Sequence, residues 1–401
     1  MIDFFSENYV YFLVPLISGL IGYITNVLSI KMTFYPLDFV GIKPFFGWQG
    51  ILPSKATKMA EKSVDLLTRD LFKPKEVFEK IDEKETERIL HGDFLEMSAG
   101  ITDSVMKIKM PLTWEVAGIA VRGKIKKIIE MLLPEIVEKS FQEIKKNIDK
   151  ILDLKLLAVN TMKEDKAMIN KIFLDLGGRQ FRFIEVSGFW LGMLFGIGQN
   201  ITSLYTTHWL MFAVYGVFIG FVTNWLAIKL IFEPAEPKKI GPFKFWGLFL
   251  RNQKEESYRY AEIIAKEVLT TENLFDYIFR FPKNEVTKNI IFKHVSMAVD
   301  KALESQPALF KFLITNQKTS EFKSVVFFNL VNELPLNIRS IFPYAEKTLD
   351  IQKTIGEKMA NLPPRQFIDF LRPAFQEDEW KLIAVGAALG GVAGILQSML
   401  V

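Results

Sequence analysis

Apolar positions in this chain follow two patterns. Residues 8–30, 186–228 and 382–401 contain no Lys, Arg, Asp or Glu. Elsewhere apolar residues recur at spacings of three and four among charges. A hydrocarbon core of ~30 Å needs ~20 helical residues at about 1.5 Å each. The middle window holds 43 residues, enough for two crossings that turn between Gln199 and His208. The first pattern therefore predicts four transmembrane helices, at about 9–31, 186–204, 208–231 and 382–401. The second predicts amphipathic helices. Met59, Ala60, Val64, Leu67 and Leu71 share one face, with Ser54 as cap and Pro74 as stop. Ile125, Ile128, Ile129, Leu132, Ile136, Phe141, Ile144, Ile148 and Ile151 share another. The second half offers Tyr260–Leu269, Glu285–Leu303 and Leu309–Leu330 in the same style. No run alternates well enough to demand a sheet. The expected fold class is all-α, an integral membrane protein with four transmembrane helices and two cytoplasmic helical domains at about 54–182 and 252–380.

The chain repeats itself at a lag of 198 residues. Gly22, Thr25, Asn26, Ile30, Lys31, Phe34 and Pro36 return as Gly220, Thr223, Asn224, Ile228, Lys229, Phe232 and Pro234. Ile42, Pro44, Phe45, Trp48 and Leu52 return as Ile240, Pro242, Phe243, Trp246 and Leu250. Gly188, Leu191, Gly192, Gly196, Ile197 and Gln199 return as Gly386, Leu389, Gly390, Gly394, Ile395 and Gln397. The expected organisation is a tandem repeat, 1–199 and 200–401. Each half would run from a leading apolar helix through an aromatic loop and a polar helical domain to a glycine-rich trailing helix. Equivalent helices cross in the same direction, which makes the repeat parallel, with its pseudo-axis along the membrane normal.

Charge adds orientation. Residues 1–30, 183–228 and 382–401 carry no Lys or Arg, whereas eighteen flank the opposite helix ends, from Lys31 to Lys58, Lys163 to Arg182, Lys229 to Lys254 and Arg365 to Lys381. By the positive-inside bias, the polar regions are expected in the cytoplasm and both termini outside. The first nine residues lack a basic residue and no small-residue cleavage site follows, so the first helix is expected to be an uncleaved anchor. The absence of cysteine excludes disulfides and thiolate metal sites, and a net charge of +4 is too small to argue for nucleic acid.

Candidate chemistry concentrates in the apolar helices. Ser18, Gly22, Thr25 and Ser29 fall on one helical face, matched by Gly216, Gly220, Thr223 and Ala227. Small residues at this spacing let membrane helices approach closely, and polar side chains then bond across the contact. Thr25, Asn26, Gln199, Thr223, Asn224 and Gln397 are the candidate intramembrane site, for packing or for binding. Asn26 lies five residues from Lys31, ~8 Å of rise, and Gln199 lies ~20 Å above the inner end of its helix. The amides should therefore form two polar levels. Ser29 facing a counterpart Ala227 argues for a steric role there. Lys31 and Lys229 are expected as snorkelling or headgroup-contacting cations, and Trp48 and Trp246 as part of an interfacial belt. The three histidines are scattered, and His-Glu-x-x-His, Walker and Gly-x-Ser-x-Gly patterns are missing, so neither an enzyme nor a metal or cofactor site is expected.

The Gly-x-x-Thr-Asn-x-x-(Ala/Ser)-Ile-Lys-x-x-Phe-x-Pro motif, carried by Gly22 to Pro36, resembles that of the bacterial YheB/YjiN-like membrane-protein family, as does the trailing Gly386, Leu389, Gly390, Gly394 and Gln397 pattern. Gly47 to Pro53 and Phe232 to Pro237 are similar as well. The family is a domain of unknown function, and the resemblance implies a bacterial inner-membrane location without supplying a substrate. The expected role is a non-enzymatic membrane scaffold or interaction protein. The alternative is a lipid-handling or transport protein using the Thr-Asn and Gln positions. Membrane lipids are the expected contacts, with a cytoplasmic protein partner and a homo-oligomer as further candidates.

Overall fold

In the computed structural model, the leading apolar run forms one helix, α1 (Ile2–Phe34), ended by the cis Tyr35–Pro36 bond. The residues described are 2–42, 46–109, 114–115, 119–206, 208–240, 242–279, 284–305, 316–372 and 379–399. A short antiparallel ribbon follows, β1 (Val40–Ile42) with β2 (Phe46–Trp48). Next come α2 (Ile51–Ser54), α3 (Ala56–Leu66) with a π-helical turn over Leu67–Leu71, α4 (Pro74–Phe78), α5 (Glu83–Lys109), α6 (Ile119–Lys146), α7 (Ile148–Ile151) and α8 (Leu154–Glu164). The trailing helix of this half is α9 (Lys166–Ser203), started by Asp165, whose carboxylate accepts from the Ala167 and Met168 amides.

The second half repeats the order. α10 (Trp209–Phe232) is capped by His208, whose Nδ1 accepts from the Leu210 amide, and it ends at the cis Glu233–Pro234 bond. The second ribbon is β3 (Lys238–Ile240) with β4 (Phe243–Phe245). Then follow α11 (Leu248–Arg251), α12 (Gln253–Ile263) with a π-helical turn over Ile264–Val268, α13 (Thr271–Phe279), α14 (Glu285–Ser305), α15 (Asn316–Asn337) and a 3-10 turn over Ile338–Ile341. The chain closes with α16 (Phe342–Leu349), α17 (Ile351–Ala360), α18 (Pro364–Leu371) and α19 (Glu379–Gln397).

Among the described residues four helices are long and apolar enough to cross a membrane: Phe12–Phe34, Ala167–Ser203, Trp209–Phe232 and Glu379–Gln397. The second differs from the expected 186–204 span. α9 is continuous from Lys166, 38 residues or about 57 Å of helix, nearly twice the hydrocarbon thickness. The charged stretch before Glu185 keeps helical periodicity and contains no Pro, so nothing breaks the helix at the polarity change.

The contacts divide the chain into two compact units. One comprises Met1–Leu67, Ala158–Ile263 and Ile355–Val401, the other Thr68–Leu157 and Ile264–Thr354. Two separate polar domains were expected at about 54–182 and 252–380; residues 68–157 and 264–354 of these form one unit together, and the remainder of each belongs to the unit of the apolar helices. The core of the joint polar unit forms around Phe78 and Phe275, whose ring centroids are 6.2 Å apart, with Phe279 and Phe342 against Phe275.

Two further expectations need correction. The fold is not purely helical, because the aromatic loops form ribbons; strands of three residues are too short to show alternation in sequence. Ser54 does not cap α3, since its hydroxyl donates to the Ile51 carbonyl and Lys55 occupies the cap position. Lys43, Pro44, Phe45, Gly241, Leu309–Thr315 and the end of the fourth span beyond Met399 lie outside the described residues.

Candidate functional site

The spans pack leading helix against trailing helix, α1 on α9 and α10 on α19, through glycine. At Gly196 an added Cβ would lie 2.6 Å from Pro15 Cα and 2.8 Å from Ser18 Cβ. At Gly188 it would lie 2.5 Å from the Gly22 carbonyl oxygen, and at Gly386 2.8 Å from that of Gly220. Real Cβ atoms do not approach so closely, so backbone contact at these seams requires glycine. This is the small-residue packing that membrane helices use in place of a hydrophobic drive.

The Thr-Asn pairs form one polar level on these seams. Asn26 Nδ2 donates to the Ile184 carbonyl at 2.7 Å and Asn224 Nδ2 to the Leu382 carbonyl at 2.9 Å. Each bond ties a leading helix to its own trailing helix across 158 residues. Thr25 and Thr223 donate back to Ile21 and Ile219 at 2.9 and 2.8 Å. Asn224 Nδ2 also reaches Ser29 Oγ at 3.1 Å, and Thr223 Oγ1 reaches Asn26 Oδ1 at 3.4 Å. The purely steric reading of Ser29 is therefore wrong: its hydroxyl accepts an amide from the other half. The substitution to Ala227 reflects loss of that bond in one half, which sequence comparison alone could not distinguish from a size constraint.

A second level lies eight residues away along α1, toward its N-terminus, a rise of ~12 Å. Ser18 Oγ donates to Gln199 Oε1 at 2.9 Å, and Gln397 Nε2 lies 3.5 Å from both Ser18 Oγ and Gln199 Oε1. All three residues are buried, and Gln199 Nε2 has no hydrogen-bond partner among the described residues. Gln199 and Gln397 thus meet each other; neither bonds Asn26 or Asn224. Between the two asparagines is a cavity of about 40 Å³, lined by Ser29, Ile30, Phe34, Phe181, Ile228, Phe232 and Leu382 among others. One water needs about 10–15 Å³, so the space holds a few waters at most.

The expected interface residues divide. Lys31 is exposed. Lys229 is also exposed, with Nζ 5.0 Å over the Trp225 ring and 3.9 Å from Glu233. Trp246 is exposed, whereas Trp48 is turned onto α1 and donates Nε1 to the Met32 carbonyl at 3.0 Å. Two buried polar contacts escaped sequence reading because both residues lie among ordinary surface-like sequence. Asn170 Nδ2 donates to the Phe34 carbonyl. Glu256 is fully buried, accepts from Gln180 Nε2 at 3.2 Å, and leaves its second oxygen unpartnered. Burial pushes the Glu256 carboxyl above its ordinary range, against the Gln180 hydrogen bond and the nearby Arg259. Among the described residues no group of three His, Asp or Glu could hold a metal ion.

The chain is similar to proteins named UPF0754 membrane protein. That of Shouchella clausii is 38% identical over 74 residues, 17% of this chain and 20% of its own length. That of Microcystis aeruginosa is 26% identical over 187 residues, 43% of this chain and 42% of its own. That of Rippkaea orientalis is 26% identical over 167 residues, 39% and 38% of the two chains. The alignments thus span at most about two-fifths of the length of these relatives, and none of the three carries the YheB/YjiN name. No family model matches the chain, and no solved structure does. The relatives' names and the four apolar helices both point to a membrane protein.

Proposed function

We propose that the chain is a non-enzymatic scaffold of a bacterial inner membrane, in which the Thr-Asn and Gln positions lock the spans so that the polar unit is held at the cytoplasmic face. The observation that carries this reading is the use of the two asparagine amides. Each donates to a carbonyl of its own half's trailing helix, so both amide nitrogens are engaged within the protein. The repeated helix order and the matching seams support a tandem parallel duplication. The asymmetric distribution of Lys and Arg supports an inside location for the polar unit and an outside location for both termini. Partners would be membrane lipids and a cytoplasmic protein, with self-association a further arrangement.

A transport or lipid-handling role has one observation in its favour, the apolar cavity beside Asn26 and Asn224. Its volume suits neither an acyl chain nor a hydrated solute. Asn26→Ala with Asn224→Ala separates the readings. On the scaffold reading the full chain in vesicles conducts no lipid or solute flux, and the double variant melts earlier. A flux in the wild type that disappears in a normally folded double variant refutes it.

A further inference from the structure

We propose that the β1–β2 ribbon is a membrane-surface anchor whose apolar face lies in the headgroup layer of the bilayer crossed by α1. Side chains alternate faces along a strand, and residues paired across two strands share a face. The register pairs Ile42 with Phe46 and Val40 with Trp48, which collects these four side chains on one side of the ribbon. Gly41 and Gly47 pair on the other side. Val40, Ile42 and Phe46 are 63%, 75% and 81% exposed. Among the described residues this is a continuous apolar face that is largely open.

The ribbon is built and held in place, not a loose loop. Gly41 has φ 131°, open to glycine and strained for other residues. The Gly50 amide donates to the Pro36 carbonyl at 2.9 Å, Gln49 Nε2 to the Leu37 carbonyl at 2.8 Å, and Trp48 Nε1 to the Met32 carbonyl at 3.0 Å. Trp48 therefore fixes one end of the face to the last turn of the span. Phe46 lies two strand residues further, ~7 Å. The headgroup layer is ~5–8 Å thick on each side of the hydrocarbon, so the face has the reach to occupy it.

The occupant is lipid because the face adjoins a span end and because the second ribbon adds matching charge. There Lys238 pairs with Phe245, both exposed, beside exposed Lys239 and Trp246. Aromatic and apolar side chains next to lysines suit the boundary between acyl chains and anionic headgroups. The proposal rests on the membrane-spanning reading of α1, and its test keeps the two apart.

The chain has no cysteine, so single-cysteine spin labels can be placed in the full-length protein without background. Ile42→Cys and Phe46→Cys would be labelled in vesicles of phosphatidylcholine and phosphatidylglycerol. Leu20→Cys on exposed α1 surface and Glu87→Cys on α5 serve as references. Collision with dissolved oxygen relative to a water-soluble nickel chelate is then measured. The ratio at residues 42 and 46 should exceed that at 87 several-fold and approach that at 20. Ratios at 42 and 46 equal to that at 87, with Leu20 still in lipid, overturn the anchor and leave the span intact. Shielding of 42 and 46 from both agents means protein contact and also overturns it. A water-exposed Leu20 removes span and anchor together.

Discussion

At Gly188 and Gly386 an added methyl group would meet both a backbone carbonyl and an asparagine amide of the facing helix. In Gly188→Ala the new Cβ would lie 2.5 Å from the Gly22 carbonyl oxygen and collide with the Asn26 amide. Backbone cannot yield as a side chain can, so α1 and α9 must separate or Asn26 must release Ile184. Overpacking of this kind costs ~1–3 kcal/mol, and an interhelical hydrogen bond in a membrane contributes ~0.6–2 kcal/mol. Alanine regains about 1 kcal/mol of helix propensity, leaving a net loss of ~1–4 kcal/mol. Gly386→Ala meets Asn224 and the Gly220 carbonyl in the same way. Because Asn26 and Asn224 each bond to the other half and line one cavity, the double variant should depart from the sum of the two, and the departure measures their coupling. Gly198→Ala is the control, since nothing lies within 4 Å of its added Cβ, and it should melt at or slightly above wild type. Melting of the detergent-solubilised full chain, followed by tryptophan fluorescence, reads all four variants. If Gly188→Ala melts with Gly198→Ala, the glycine seam does not hold the spans, and the packing account of Asn26 goes with it.

The remaining expectations concern other parts of the chain. Glu256→Gln should raise the melting temperature by a few degrees near neutral pH and by less in acid. The folded-state pKa of this carboxyl is raised, so its protonated form is favoured by folding and stability is lost as pH rises through that value; equal melting of both proteins at all pH values sinks this. Glu143 accepts from Lys293 at 2.9 Å and His294 at 2.8 Å, and Lys293 foremost holds its pKa low. Its contribution is present above the ordinary carboxylate range and lost as pH falls, so Glu143→Gln should cost ~0.2–1 kcal/mol near neutrality and flatten the acid limb of stability. Tyr205→Cys, in the exposed turn between α9 and α10, should react with an impermeant maleimide added outside intact cells. Reaction only after lysis would invert the expected orientation.

The helical spans were legible because length and apolar composition together leave few alternatives in a bilayer. The seams were legible for a related reason: Gly188, Gly192 and Gly196 at four-residue spacing have one geometric use. The depth separation of Asn26 from Gln199 followed from helical rise alone. What sequence concealed depends on who faces whom. Ser29 looked like a small residue with a smaller counterpart, and only the position of Asn224 reveals its bond. Glu256 sits in Gln-Lys-Glu-Glu-Ser, a stretch that reads as solvent-facing, and Gln180 on α9 makes it interior. The grouping of polar segments from both halves into one unit leaves no mark in either segment, since an amphipathic stripe does not specify what covers it.

The contacts between halves carry information that the seams do not. Gln199 and Gln397 are 198 residues apart and meet in the first unit; Phe78 and Phe275 are 197 apart and meet in the second. Equivalent residues of two copies touch when they lie on the axis that relates them, as in an isologous dimer. On the duplicated reading, each unit is such a dimer in a single chain, and a single chain may change one partner without the other. The Thr-Asn level differs in this way. Asn224 donates to Ser29, whose counterpart Ala227 has no hydroxyl, and Asn26 accepts from Thr223. The seam bonds, by contrast, keep the same donor and the same 158-residue separation in both halves. A change at a seam must fit against backbone within 3 Å, while a change on the axis meets a side chain that can rotate or be replaced. Steric latitude therefore explains why the asparagine seam bonds agree in the two halves while Ser29 and its counterpart Ala227 differ where the pairs meet.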